Sequence, residues 1–231
     1  MSEVVVIIPA FNEEKAISHV IHDIPKNIVS NIIVVDNNST DNTIQVAKGA
    51  GAIVLSERMQ GYGAACLKGI AHLKTLNVIP EIVVFLDGDY SDYPEEIPKV
   101  IEPILQNKAD FVVGSRALGK RQKKSLTPQQ IWGNKLAAFL LKLLFKQNAT
   151  DLGPFRAIKY QSLLQLNMQD TNYGWTVEMQ IKAAQNKLIY TEVPVSYKVR
   201  IGISKVSGTL KGTIMASYKI LFTIFKYALK W

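Results

Sequence analysis

The sequence is poorest in cysteine. Cys66 is the only one among 231 residues, which excludes an intramolecular disulfide, makes a cysteine-based zinc site implausible, and fits a reducing cytoplasm. No uninterrupted apolar run reaches the roughly 18 to 20 residues of a spanning helix, so the chain is not expected to cross a membrane. The run "VVVIIPA" near Met1 is too short for a signal peptide, follows an acidic residue and leads into polar "FNEE". It reads as a first strand. No Walker loop is found and no GxGxxG follows that strand, so glycine backbone is not indicated as a phosphate holder. There is no GxSxG hydrolase elbow. His19, His22 and His72 fall in helical stretches with no second ligand at a metal spacing, and read as surface or structural histidines. Internal repeats and low-complexity tracts are missing as well.

What is present is apolar substance and positive charge. A hydrophobic content of 48% is ample for the core of one large domain, or of one domain with an appendage. The formal charge of +8 points to an anionic partner: nucleic acid, a phosphorylated ligand or an acidic lipid surface. It gathers late in the chain. After Lys182, the cations Lys187, Lys198, Arg200, Lys205, Lys211, Lys219, Lys226 and Lys230 face only Glu192.

The periodicity alternates. "VVVIIPA" is followed by "NEEKAISHVIHDI", whose apolar Ile17, Val20, Ile21 and Ile24 keep a helical period. "NIIVVD" is a second strand. "STDNTIQVAKGAG" is a helix with Ser39, Thr40 or Asp41 as its cap and Gly49 or Gly51 as its stop. Next come the strand "AIVLSE", the helix "YGAACLKGIAHLKTL" and the strand "EIVVFLD", which lacks polar alternation, as expected when both faces are covered. This β-α-β-α-β-α-β order predicts an α/β fold, a mostly parallel sheet with helices on both faces and ligands beyond the carboxyl ends of its strands. The polar segments "PAFNEE", "DNNSTD" and "DGDYSD" lie at such ends. After "DFVVGSR", the basic, aperiodic "ALGKRQKKSLTPQ" predicts a mobile loop. "IWGNKLAAFLLKLLFKQ" and "GWTVEMQIKAAQNK" predict helices, and "KLIYTEVPVSYKVR" a strand broken at Pro194.

The tail "GTLKGTIMASYKILFTIFKYALKW" predicts a basic amphipathic helix. Lys211, Lys219, Lys226 and Lys230 share one arc, while Leu210, Ile214, Tyr218, Leu221 and Phe225 share another. Such a helix either packs on the core with its lysines in water or lies on an anionic membrane with its apolar face in lipid.

The acidic strand end poses the chemical question. Asp87 and Asp89, two apart, are expected to project together beyond "VVFL". At about 5 Å and an effective dielectric near 20, their repulsion is roughly 3 kcal/mol, which demands a positive partner. A hard divalent cation such as Mg²⁺ or Mn²⁺, completed by phosphate oxygens, would supply it. A solvated loop would also tolerate the pair. Gly61 and Gly63 in "GYGAACLKG" either allow a ligand to approach the backbone or form a tight turn. Asp36 and Asn37 read as ligand contacts or as turn and cap residues. Arg116 is suited to a bidentate phosphate or carboxylate, or to an ordinary salt bridge.

The segments "VVVIIPAFNEE", "IIVVDNNSTDNT", "LDGDYSDYPEEI", "ADFVVGSR", "DLGPFRAI", "GWTVEMQIKA" and "EVPVSYKVRIGISKVSG" run through most of the chain. In this order and spacing they resemble family two glycosyltransferases of the GT-A fold, particularly the dolichyl- or polyprenyl-phosphate sugar synthase branch. That resemblance implies a GT-A catalytic domain over residues 1–206, with a nucleotide-sugar half to about 116 and an acceptor half over 117–206. Residues 207–231 would form the tail helix. It also implies that Pro9, Ala10, Asn12, Glu13, Asp36 and Asp87 line the nucleotide and that Asp89 ligates the metal with Asp87 beside it. Asp151, Arg156, Trp175, Arg200, Ser204 and Lys205 would handle the acceptor. Asp89, Arg116, Glu178, Arg200 and Lys205 are the candidate catalytic set. Two departures stand out: Asn37 replaces a second aspartate after strand two, and Ser91 stands where relatives often place a metal-binding glutamine, leaving Asp92 or water for that position. The long C-terminal transmembrane segments of some members are also not seen.

The activity so implied is an inverting transfer of a hexose from a UDP- or GDP-linked donor to a polyprenyl phosphate at the cytoplasmic face of a membrane. A phosphate acceptor needs no strong base, whereas a sugar hydroxyl acceptor, the main alternative, would call on Glu178 or on a carboxylate at the metal site. Nucleotidyl transfer and non-catalytic nucleic-acid binding are more distant alternatives, the latter disfavoured by acidic strand ends that would repel phosphates.

Overall fold

The computed structural model describes residues 3–202, 204 and 208–229. Seven strands form one sheet: β1 (Val4–Ala10), β2 (Val29–Asp36), β3 (Ile53–Ser56), β4 (Ile82–Phe85), β5 (Phe111–Ser115), β6 (Arg156–Lys159) and β7 (Tyr190–Pro194). Their order is β3-β2-β1-β4-β6-β5-β7. All neighbours are parallel except at β6, which runs antiparallel to both β4 and β5. The sequence reading missed β6, because "RAIK" is short and carries a charge at each end.

Strand β1 is buried along its whole length, and its alternate side chains enter two separate cores. Val4, Val6 and Ile8 meet the helices α1 (Ile17–Asp23), α2 (Thr43–Gly49) and α4 (Ile97–Leu105) on one face. Val5 and Ile7 meet α3 (Tyr62–Leu73), α6 (Tyr160–Leu166) and α7 (Trp175–Gln185) on the other. Period-two exposure to two apolar layers explains why this strand reads as an unbroken hydrophobic run. Each such buried aliphatic side chain contributes about 2 kcal/mol.

A third cluster lies beyond the sheet, where α5 (Pro128–Phe145) and α8 (Leu210–Ala228) pack against each other and against α7. Helix α5 begins earlier than its periodicity suggests, because Thr127 and Gln130 form a reciprocal capping box with Pro128 at the first position. The basic segment before it is held. Gln122 N–H donates to Tyr197 O (2.9 Å), Tyr197 N–H donates to Lys120 O (2.9 Å), and Val199 N–H donates to Gln122 Oε1 (3.0 Å).

Candidate active site

The loops after β1 and β2 are laced together. Asn12 N–H donates to Ser39 Oγ (2.9 Å), Asn12 Oδ1 accepts from Thr40 N–H (2.8 Å), and Glu13 N–H donates to Thr43 Oγ1 (2.8 Å). Asn12 adopts φ 54°, the left-handed region that asparagine tolerates. This bracing fixes the edge of a cavity of about 350 Å³ at the carboxyl ends of the parallel strands. Pro9, Ala10, Glu13, Asn37, Tyr62, Asp87 and Asp89 are among its lining residues.

Asn37 shows why a carboxylate would not serve in its place. Its Nδ2 donates to Glu57 O (3.2 Å) and Met59 O (2.7 Å), while its Oδ1 accepts from Gly61 N–H (2.7 Å). An aspartate could not donate these bonds. Gly61 and Gly63 likewise serve backbone packing: a Cβ on either would lie about 2 Å from the Thr171 or Asp170 carbonyl oxygen. That contact brings Asn172 and Tyr173 into the cavity wall. The GxG spacing was the only sequence signal for those two residues.

A second cavity, about 470 Å³, lies on the other side of the carboxylates. Arg116, Lys124, Gln130, Leu152 and Tyr197 line it, together with Gly133 and Ala137 of α5 and Ala216 and Ser217 of α8. Asp87, Asp89, Arg200 and Ser204 line both cavities.

Arg200 is the positive partner that the acidic strand end demands. Its Nη1 lies 2.9 Å from Asp89 Oδ2 and its Nη2 2.6 Å from Glu13 Oε1. Backbone pairing delivers it there: Lys198 N–H donates to Ser91 O (2.9 Å) and Ile201 N–H to Asp89 O (3.0 Å), so the strand-like run breaks at Pro194 but continues extended alongside 89–92. Asp89 Oδ1 also accepts from Ser91 N–H (2.9 Å) and Oγ (2.5 Å). The Oδ1 atom of Asp87 is shut off from solvent and has no hydrogen-bond partner among the described residues. Burial first, and then the charge of Asp89, pushes its carboxyl up to about 7 against the opposing pull of Arg200.

The remaining predicted residues divide sharply. Arg116 reaches the second cavity, but one edge of its guanidinium is already paired bidentately with Asp151 (Nε to Oδ2 2.7 Å, Nη2 to Oδ1 2.7 Å). Burial pushes the Asp151 carboxyl up, but the charge and hydrogen bonds of Arg116 outweigh that and hold it below the usual carboxylate range. Asp36 is buried outside the cavity lining, with Oδ2 accepting from Ser39 N–H (3.2 Å). Asn12 braces loops and is not a lining residue. Arg156 is wholly buried, donating to the carbonyls of Leu152, Gly153 and Thr176, and Trp175 is a core side chain packed edge-on to Phe85. Both were expected at the acceptor and line neither cavity; unbroken carbonyl and ring contacts enclose them instead. Glu178 also lies outside both cavities. Its carboxylate accepts from Asp170 N–H (2.7 Å) and Tyr227 O–H (2.7 Å) and pairs with Lys182 (2.9 Å). Asp92 is buried, its carboxylate oxygens have no hydrogen-bond partners among the described residues, and it lines neither cavity. Lys205 lies outside the described residues.

Among the described residues no three His, Cys, Asp or Glu side chains converge so as to hold an ion alone. The donor set at the junction fits a divalent ion in another way. Two hard carboxylates, one with an unpartnered oxygen, face a cavity large enough for a diphosphate that would complete the coordination.

Known proteins share this architecture. A crystal structure of glucosyl-3-phosphoglycerate synthase from Mycobacterium tuberculosis in complex with Mn²⁺, UDP and glucosyl-3-phosphoglycerate superposes with a TM-score of 0.77 at 22% identity, covering 98% of this chain and 80% of that one. It shares the α/β GT-A fold. An uncharacterized glycosyltransferase of Mycobacterium tuberculosis is 33% identical over 218 residues, 92% of this chain and 94% of that protein. A UDP-N-acetylglucosamine–dolichyl-phosphate N-acetylglucosaminyltransferase of Methanococcus voltae is 30% identical over 239 residues, 94% of this chain and 93% of its own. The model of the family described as Glycosyl transferase family 2 matches residues 5–166. The loops that join two cavities at one pair of aspartates thus belong to a member of glycosyltransferase family 2, an enzyme that uses a nucleotide sugar.

Proposed function

We propose that this glycosyltransferase moves a hexose from a UDP- or GDP-linked donor in the first cavity to a polyprenyl phosphate whose headgroup enters the second. The observation that carries this reading is the shared boundary: Asp87, Asp89, Arg200 and Ser204 line both cavities, so donor and acceptor would meet across them. Asp89, with Asp87, would hold Mg²⁺ or Mn²⁺, which when bound supplies charge compensation for the departing diphosphate. Glu13 and Asn37 would contact the nucleotide portion.

In the transfer, the bond from the anomeric carbon to the diphosphate oxygen breaks, and its electron pair leaves with the nucleoside diphosphate. A bond forms from an acceptor phosphate oxygen to the same carbon on the opposite face. Arg200 and Lys124 would neutralise and orient that phosphate, and Arg116, its Nε–Nη2 edge clamped by Asp151, would add positive potential. A phosphate whose second pKa is about 6 is largely deprotonated at pH 7, so no protein base is required. The occupied state of Glu178 supports this choice, because a hydroxyl acceptor would need a base, and of the two candidates, Glu178 and a carboxylate at the metal site, the first is enclosed by donors.

A small phosphorylated acceptor is the second reading, favoured by the same cations and by the phosphoglycerate-using enzyme that shares the fold. The test is product analysis. UDP- and GDP-sugars are incubated with Mg²⁺ or Mn²⁺ and either a polyprenyl phosphate or a phosphorylated hydroxy acid. The expected products are a nucleoside diphosphate and an acid-labile glycosyl phosphodiester of the lipid. Sugar found only on the hydroxy acid would overturn the lipid reading.

A further inference from the structure

Helix α5 is two-sided in an unexpected way. Its inner face, Ala137, Ala138, Leu141 and Phe145, is buried. Its outer face is apolar too: Trp132, Leu136, Phe139 and Leu143 recur at four, three and four residues and are 73%, 49%, 60% and 63% exposed. Helix α8 repeats the pattern. Thr223 and Ile224 are buried against its neighbours, whereas Ile214, Tyr218, Phe222 and Phe225 form an outward stripe. Because α5 and α8 pack side by side, both helices of one pair leave large apolar side chains in water. Exposed apolar surface concentrated like this marks a binding face.

We infer that the outer faces of α5 and α8 together dock the enzyme onto an anionic phospholipid bilayer. Charge selects this occupant. Residues 111–150 contain eight cations and no carboxylate, and residues 193–231 contain seven and none. Lys135, Lys142, Lys211 and Lys226 are exposed on the two helices. A second copy would bring the same lysines against themselves, whereas acidic headgroups would pair with them, at about 1 kcal/mol each close to the surface. Trp132 and Tyr218 suit the headgroup boundary. Neither helix is long and apolar enough to cross a membrane, so the pair would lie in the interface. The second cavity reaches the same two helices through Gly133, Ala137, Ala216 and Ser217, small residues that leave room between them for a chain running from the phosphate toward lipid. This purpose rests on the lipid-phosphate reading, although docking itself does not.

The test is flotation of the full chain with vesicles of phosphatidylcholine alone or with about 30 mol% phosphatidylglycerol, which gives the bilayer surface a negative potential. Wild type should float with the anionic vesicles and be released by salt. Phe139→Ser with Leu143→Ser, and separately Phe222→Ser with Phe225→Ser, should each lower the bound fraction at least tenfold. All four side chains are exposed, so the thermal unfolding midpoint should hold. A water-soluble short-chain prenyl phosphate separates the two readings. Variants that lose flotation should still glycosylate it at the wild-type rate, whereas wild type that floats yet transfers to no prenyl phosphate would overturn the acceptor reading alone. Equal flotation by folded variants, or wild type that forms dimers through this face and ignores vesicles, would overturn the docking.

Discussion

The two cavities are built on opposite electrostatic plans. Both are bordered by Asp87, Asp89 and Arg200, but the first adds a carboxylate, Glu13, whereas the second adds cations, Arg116 and Lys124, the former paired with the buried Asp151. The offsets differ in kind. Asp151 accepts from the Nε and Nη2 of Arg116 and from its backbone N–H, so that pair is bidentate and positions the wall. Arg200 divides its fork between Glu13 and Asp89, its Nε has no partner among the described residues, and it borders both cavities. A cation shared in this way can change partners when a ligand brings its own charges; one held bidentately by a single buried carboxylate cannot do so without leaving that carboxylate unpaired.

The contrast can be broken at several points. Asp89→Asn should have the largest effect, lowering transfer about a thousandfold, or about 4 kcal/mol of barrier, and abolishing the dependence of nucleotide affinity on Mg²⁺ or Mn²⁺ in calorimetry. Affinity that ignores metal in wild type would remove the proposed ion. Asp151→Asn comes next, because it opens the closed pair: about 3 kcal/mol of stability should be lost at pH 7. The folded-state pKa of Asp151 is depressed, so its stabilisation exists above the unfolded value near 4 and fades as pH falls through the folded one. Chemical denaturation of variant and wild type should therefore converge below about pH 4; a gap independent of pH would contradict the ion pair.

Arg200→Ala should slow transfer about a hundredfold, close to 3 kcal/mol of barrier, with the KM for the acceptor raised, and Arg200→Lys should recover only part because a single ammonium cannot span Glu13 and Asp89. An effect confined to donor affinity would place Arg200 on one side only. The smallest catalytic change is expected for Glu178→Gln: transfer within about threefold of wild type, with stability reduced by about 2 kcal/mol as the charged hydrogen bonds weaken. A collapse in rate with an unchanged unfolding midpoint would restore Glu178 as a base and favour a hydroxyl acceptor.

The tail helix sharpens the same lesson. Its sequence offered a choice between packing on the core and lying on lipid, and the structure gives each option a different face. Ile224, Thr223 and Tyr227 turn inward, Tyr227 O–H reaching Glu178, while the stripe through Ile214, Tyr218 and Phe225 turns outward. Helix α5 carried no such signal, because apolar side chains surround it and periodicity cannot tell which of two apolar faces is left uncovered.

By itself the sequence determined the alternation of strands and helices, the acidic ends of β1, β2 and β4, and the family, since these rest on local period and on short motifs in fixed order. Strand β6 escaped it because four residues between polar neighbours have no period to read. Pro9, Ala10, Glu13, Asp87 and Asp89, which the family resemblance pointed to, lie at or just beyond the ends of β1 and β4, where the strand order also predicted ligands. Only the tertiary structure decided which distant side chains complete the site. Arg200 reaches Glu13 across 187 residues, and Asn172 and Tyr173 join the wall because Gly61 and Gly63 admit their backbone. It also decided that Arg156, Trp175 and Glu178 are enclosed. A motif specifies which chemistry a residue can perform, but whether water and substrate can reach it depends on the contacts that long-range packing makes around it.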